Sequence, residues 1–203
     1  MTRPVPSQER SRQRVESIVN ATLALLRRGG VEQCTVAAIS AEANISPASL
    51  YRYFPDSQAV LRAVASSTLE VMHEALRDHI AAIVSADDVE PVLRSSLDMY
   101  YQAFVDDRAL RELWTGTMAD RELVTLNIED SRRNGILIAQ QIGPFIDLPR
   151  DELTSRCFLM AHLTGSAVSL MLDLPPAEVS KVREHLQQMM IFALAPAVAG
   201  TCG

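Results

Sequence analysis

Within Thr35–Phe54, read as TVAAISAEANISPASLYRYF, several polar groups lie close together. Arg52 brings a guanidinium, Tyr51 and Tyr53 bring phenols, and Thr35, Ser46 and Ser49 bring hydroxyls. Such donors bond phosphate oxygens and base edges, Arg52 by a bidentate contact to guanine or by a phosphate contact. Acid–base, nucleophilic and metal chemistry find no comparable cluster. His73, His79, His162 and His185 are scattered, and His73 and His79 lie six apart, on different faces of one helix. Cys34, Cys157 and Cys202 have neither disulfide nor metal spacing. There is no phosphate loop, no Gly-x-Ser-x-Gly elbow and no His-Glu-x-x-His. No enzyme activity, metal or cofactor is expected.

Local rules specify the elements that hold these groups. Thr35 caps a first short helix, on which Val36, Ile39 and Ala43 share a face. Asn44 suits the left-handed position of a helix stop. Ser46 caps the next helix, Pro47 takes its first position, and Ile45 staples onto Leu50. Leu50 and Phe54 turn inward, so Ala48, Ser49, Tyr51 and Arg52 face out. A short, firmly seated helix with that outer face suits a DNA major groove. The hydroxyls and amides at Thr35 and Ser46 suit phosphates, alongside their capping roles.

This order resembles the DNA-binding domain of TetR-type transcriptional regulators, on Thr35, Ile39, Ser40, Ala43, Ile45, Ser46, Leu50, Tyr51, Tyr53 and Phe54. Two positions depart from the pattern: Asn44 stands where the family has Gly, and Ser57 where it has a phosphate-binding Lys. With Asp56 beside it, Ser57 implies a weaker grip on DNA than the family norm. The resemblance implies an all-α chain. Residues 1–60 would form a three-helix helix-turn-helix domain, and 61–203 a larger helical domain for ligand binding and dimerisation. It also implies that the last two helices of each subunit build a four-helix homodimer interface.

The charge is divided accordingly. Residues 1–62 carry eight basic and five acidic side chains, net +3, and the rest carries eleven and twenty, net −9, giving −6 overall. A positive front aims the chain at phosphate despite the acidic total. Lys181 is the sole lysine. No apolar run reaches the ~18 residues of a membrane span, and no leader pattern opens the chain, so the cytoplasm is the expected compartment.

The remaining periodicity predicts helices over about 9–28, 56–84, 91–105, 108–118, 120–141, 152–174 and 176–194. Residues 1–8 read as a disordered arm, from which Arg3 could reach phosphate, with Arg10, Arg12 and Arg14 just behind it; the tail from Pro196 reads as frayed. The helix over 152–174 is apolar on every side and needs partners on every side, one of them another chain. By resemblance, a small-molecule cavity lies among the middle helices. Its expected lining is Met72, His73, Leu76, Tyr100, Phe104, Trp114, Met118, Asn127, Phe158 and His162, which suits a mostly hydrophobic effector.

The leading expectation is a ligand-released homodimeric repressor on an inverted-repeat double-stranded operator. Open beside it are a helical binder or enzyme that has lost DNA binding, a thiol sensor using Cys34 or Cys157, and activation instead of repression.

Overall fold

The structure is a computed structural model and describes residues 6–116 and 120–195. Its described residues form nine α-helices, two 3-10 turns and no strand. The helices are α1 (Pro6–Gly29), α2 (Val36–Glu42), α3 (Pro47–Tyr51), α4 (Ser57–Ile80), α5 (Ala86–Asp106), α6 (Arg108–Gly116), α7 (Arg121–Ile142), α8 (Arg150–Asp173) and α9 (Pro176–Phe192). They group into two compact units, Met1–Thr68 with Asp107–Leu123, and Leu69–Asp106 with Val124–Gly203.

The first unit is built on α1. Its inner face buries Ile18, Thr22, Leu25 and Leu26, and the Thr22 hydroxyl donates to the Ile18 carbonyl at 2.8 Å. Gly30 ends the helix at φ 75°, a left-handed conformation that favours glycine. Ile39, Leu50, Phe54, Val60, Leu61, Val64 and Leu113 complete the core. Arg27 donates through Nε and Nη2 to both carboxylate oxygens of Asp107, at 3.0 and 2.6 Å. That fork ties α1 to the start of α6 and holds the Asp107 carboxyl below its ordinary range. Arg62 similarly bonds Asp120 and Glu122, each at 3.0 Å.

The second unit packs the later part of α4 with α5, α7, α8 and α9. Its core joins Ile80, Ile83, Val89, Leu93, Ala139, Ile142, Leu153, Cys157 and Leu194. At Gly135 the backbones of α7 and α8 touch, and a Cβ there would lie 2.5 Å from the Phe158 backbone. Arg156 donates through Nη1 to the carbonyls of Ala193 and Ala195, both at 2.7 Å, closing the end of α9.

Three helix ends differ from expectation. α1 starts at Pro6, since proline fits a helix's first turn, where its missing N–H costs nothing. α4 stops at Ile80 and α5 begins at Ala86, ahead of Pro91. The early start of α5 is set by the Asp88 carboxylate, which accepts from the Val84 and Ser85 amides at 3.1 and 2.8 Å and from the Ser85 hydroxyl at 2.7 Å. It closes a start signal six residues before the proline, which is carried inside the helix.

Candidate functional site

The outward face of α3 forms as local capping dictates. Thr35 Oγ1 accepts the Ala38 amide and Ser46 Oγ accepts the Ser49 amide, both at 3.2 Å. Each hydroxyl keeps its own proton as a donor. Asn44 adopts φ 52° between α2 and α3. Leu50 is fully buried and Phe54 nearly so, which fixes the helix on its core. Thr35, Ser46, Pro47, Ala48, Tyr51 and Arg52 are exposed, with Ser49 and Tyr53 half-buried beside them. Tyr51 is 55% exposed, far from the state of a core aromatic. Arg52 donates through Nη2 to Ser49 Oγ at 3.1 Å, and its guanidinium carbon lies 5.8 Å from the Tyr53 ring centre. Of the eight residues expected at DNA, seven lie within Ser46–Tyr53, and Thr35 is exposed at the start of α2. Asp56 Oδ1 accepts the Ala59 amide at 2.7 Å, so this acid caps α4.

The second unit encloses a cavity of about 80 Å³ between α4, α5, α7, α8 and α9. Of the expected lining, Leu76, Tyr100 and Asn127 are on its wall. His73 and His162 stand one bond behind it: His73 Nδ1 bonds Asn134 Oδ1 at 2.5 Å, and His162 Nδ1 bonds Ser131 Oγ at 3.2 Å. Phe104 is buried behind Tyr100, ring centres 5.1 Å apart. Met72 is half-buried off the wall, and Phe158 lines a separate open groove under Arg132, whose guanidinium lies 4.5 Å from its ring centre. Trp114, on α6, belongs to the first unit. Met118, Arg3, Cys202 and the tail from Pro196 lie outside the described residues.

The sequence reading missed the polar wall that α7 supplies through Asp130, Ser131 and Asn134. The available signal was spacing: Asn127, Asp130, Ser131, Asn134 and Ile138 recur at three and four and make one stripe. Asn134 Nδ2 donates to Asp130 Oδ2 at 2.8 Å. Burial raises the Asp130 carboxyl to about 6, against the opposing pull of His73, Arg133 and Asn134. Burial, and then the charge of Asp130, push the Tyr100 phenol up.

The thiols are poor sensors. Burial pushes Cys34 up to about 11 and Cys157 to about 12, keeping both protonated at neutral pH. Among the described residues no cluster could hold a metal ion, and no helix is long and apolar enough to cross a membrane.

Residues 18–64 match the domain described as bacterial regulatory proteins, tetR family, and residues 87–198 match the tetracyclin repressor-like C-terminal domain. The transcriptional regulator BetI of Yersinia pestis is 24% identical over 124 residues, 59% of this chain and 62% of BetI, so the chain spans under two thirds of that relative. A TetR-family regulator from Pectobacterium atrosepticum superposes with TM-score 0.75 at 12% identity, covering 96% of this chain and 99% of that one. The TetR-family repressor FadR of Thermus thermophilus, solved with lauroyl-CoA, superposes at 0.65 with 19% identity, covering 93% and 99%. The structural matches show a shared fold. With one family's characteristic domains on both parts of the chain, and over half of it in the second alone, the protein belongs to the TetR family of transcriptional regulators.

Proposed function

We propose that this protein is a homodimeric repressor that binds an inverted-repeat DNA operator through α3 and is released by a small effector in the cavity of the second unit. The observation that carries the reading is the stretch around α3: Ser46, Ser49, Tyr51, Arg52 and Tyr53 offer groups suited to phosphates and bases, on a segment whose Leu50 and Phe54 are buried. Residues 1–62, net +3, supply sequence-independent attraction to the duplex.

Dimerisation is supported by unpartnered apolar groups on the last two helices. Leu159, Leu163 and Leu170 on α8 and Met189 and Phe192 on α9 are exposed, Phe192 by 77%. A second copy covers such a patch with its own equivalent, and the resulting twofold axis places two α3 helices on two half-sites. An effector releases DNA only as far as it prefers the conformation in which those helices are wrongly spaced. The cytoplasm is the compartment where this activity belongs.

The test is selection of binding duplexes from a random pool, then anisotropy titration and sizing of the free protein. The expected result is a salt-dependent complex on a palindromic sequence, with two chains per site. A monomer indifferent to every duplex at low ionic strength contradicts the reading. It would favour a helical small-molecule binder without DNA activity, which Asp56 and Ser57 at the start of α4 also favour.

A further inference from the structure

The cavity wall carries one carboxylate and no basic side chain. Asp130 Oδ2 is held by Asn134, whereas Oδ1 has no hydrogen-bond partner among the described residues. The nearby cation is already committed: Arg133 places Nη1 and Nη2 on the two oxygens of Glu70, at 2.5 and 2.7 Å. Asn134 is fixed from both sides, because its carbonyl faces His73 and its amide faces Asp130. It cannot turn to offer Asp130 more. The Tyr100 ring stands on the same wall, backed by Phe104.

We propose that this cavity takes a small organic ammonium or amidinium ion, with its charged end on Asp130 and its carbon skeleton against Leu76, Leu97, Ile138, Met160 and Met190. The proposal rests on the effector reading above and names the chemical class of the effector. Asp130 is half-buried and no cation is bonded to it among the described residues, so its charge is only partly compensated, and a neutral ligand that excludes water leaves that cost in place. An anion adds repulsion. A cation removes the cost and gains the Tyr100 ring as a second electron-rich surface. Burial holds the Asp130 carboxyl above the ordinary aspartate range, which reflects the same shortage of compensation for its charged form. The cavity, about 80 Å³, is smaller than the ~150 Å³ that admits benzene, so a short carbon chain fits first. Met160 and Met190 can adjust their rotamers to admit more.

The groups facing Asp130 set its pH response. Glu70 and His73 approach from α4, Tyr100 from α5 and Arg133 from α7, while α8 brings His162 to the adjacent Ser131. As pH falls through about 6, Asp130 takes up a proton and the ammonium loses its counter-charge.

Calorimetric titration of the full chain with three- to six-carbon n-alkylamines, and with the matching alcohols and carboxylates, tests the class and scans the size. At pH 7.5 the best amine should bind at least tenfold tighter than its alcohol, and its affinity should fall at pH 5. Asp130→Asn should erase the preference for amine over alcohol. Equal binding of amine and alcohol by the wild type overturns the proposal, and this comparison needs no folded variant. A preference that survives Asp130→Asn, or no binding by any amine at millimolar concentration, overturns it too. Operator release in the same titrations separates the two readings. Amines that bind without freeing DNA uphold the cation site and end the effector reading. Alcohols that free DNA as well as amines do the reverse.

Discussion

Arg52 is tethered to Ser49: its Nη2 donates to Ser49 Oγ at 3.1 Å, one turn back along α3. The bond limits the rotamers of the guanidinium before any partner arrives, which reduces the entropy lost on ordering it. Arg52→Ala should therefore cost about 1–3 kcal/mol of operator affinity per half-site and relax specificity at one base pair. Its melting temperature should stay close to wild type, because Arg52 is exposed. Anisotropy titration against operator variants, paired with thermal melts, checks both halves.

Ser57 opens α4 beside the capping Asp56, a place where the family has lysine. Ser57→Lys should add one phosphate contact per chain. The salt dependence of operator binding should steepen by about 0.9 in log–log slope for each. Titrations across a series of salt concentrations measure it, and an unchanged slope would show that the start of α4 stays clear of the phosphates.

Asn44 holds φ 52° between α2 and α3. Replacement by Ala should destabilise by about 1 kcal/mol, since a plain L side chain pays the full left-handed cost, whereas Gly should be neutral or mildly favourable. Urea denaturation of the two variants should order them Gly, Asn, Ala from most to least stable.

Gly135 lets α7 and α8 meet backbone to backbone at Phe158. Gly135→Ala puts a methyl 2.5 Å from main-chain atoms, which no rotamer change can relieve. A loss of about 1–3 kcal/mol or more is expected by chemical denaturation.

Asp130 should make stability depend on pH in a recognisable direction. Its carboxyl rises in the folded chain to about 6 from an ordinary value of 3.8. The folded state thus holds the proton more tightly, and the resulting contribution is complete below the unfolded value and lost as pH climbs through about 6. Asp130→Asn mimics the protonated form. The variant should melt above wild type at pH 8, and the gap should close by pH 4. A gap that widens towards acid would contradict the assignment.

What could be read from the sequence followed the range of the forces involved. The capping by Thr35 and Ser46 and the turn at Asn44 depend on neighbours within four residues, so α2 and α3 were legible and their outward groups with them. Pro91 misled about the start of α5, because the Ser85–Asp88 closure outweighed the usual meaning of a proline. The cavity depends on which face of each helix turns inward in three dimensions. Leu76, Tyr100 and Asn127 could be picked as middle-helix groups. Asp130 and Asn134 carry no mark in the sequence that sets them apart from the solvated side of a helix, since polarity alone does not distinguish water from an interior polar wall.

The lone lysine acquires practical meaning from its place on α9. Lys181 precedes His185, Met189 and Phe192 at spacings of four, eight and eleven, so all four share one exposed stripe. Acylating reagents thus have a single side-chain amine to modify, sitting in the very strip that a sister molecule is proposed to shield. The speed of its acetylation, followed by mass spectrometry across a dilution series, becomes a direct gauge of how much of the population is paired.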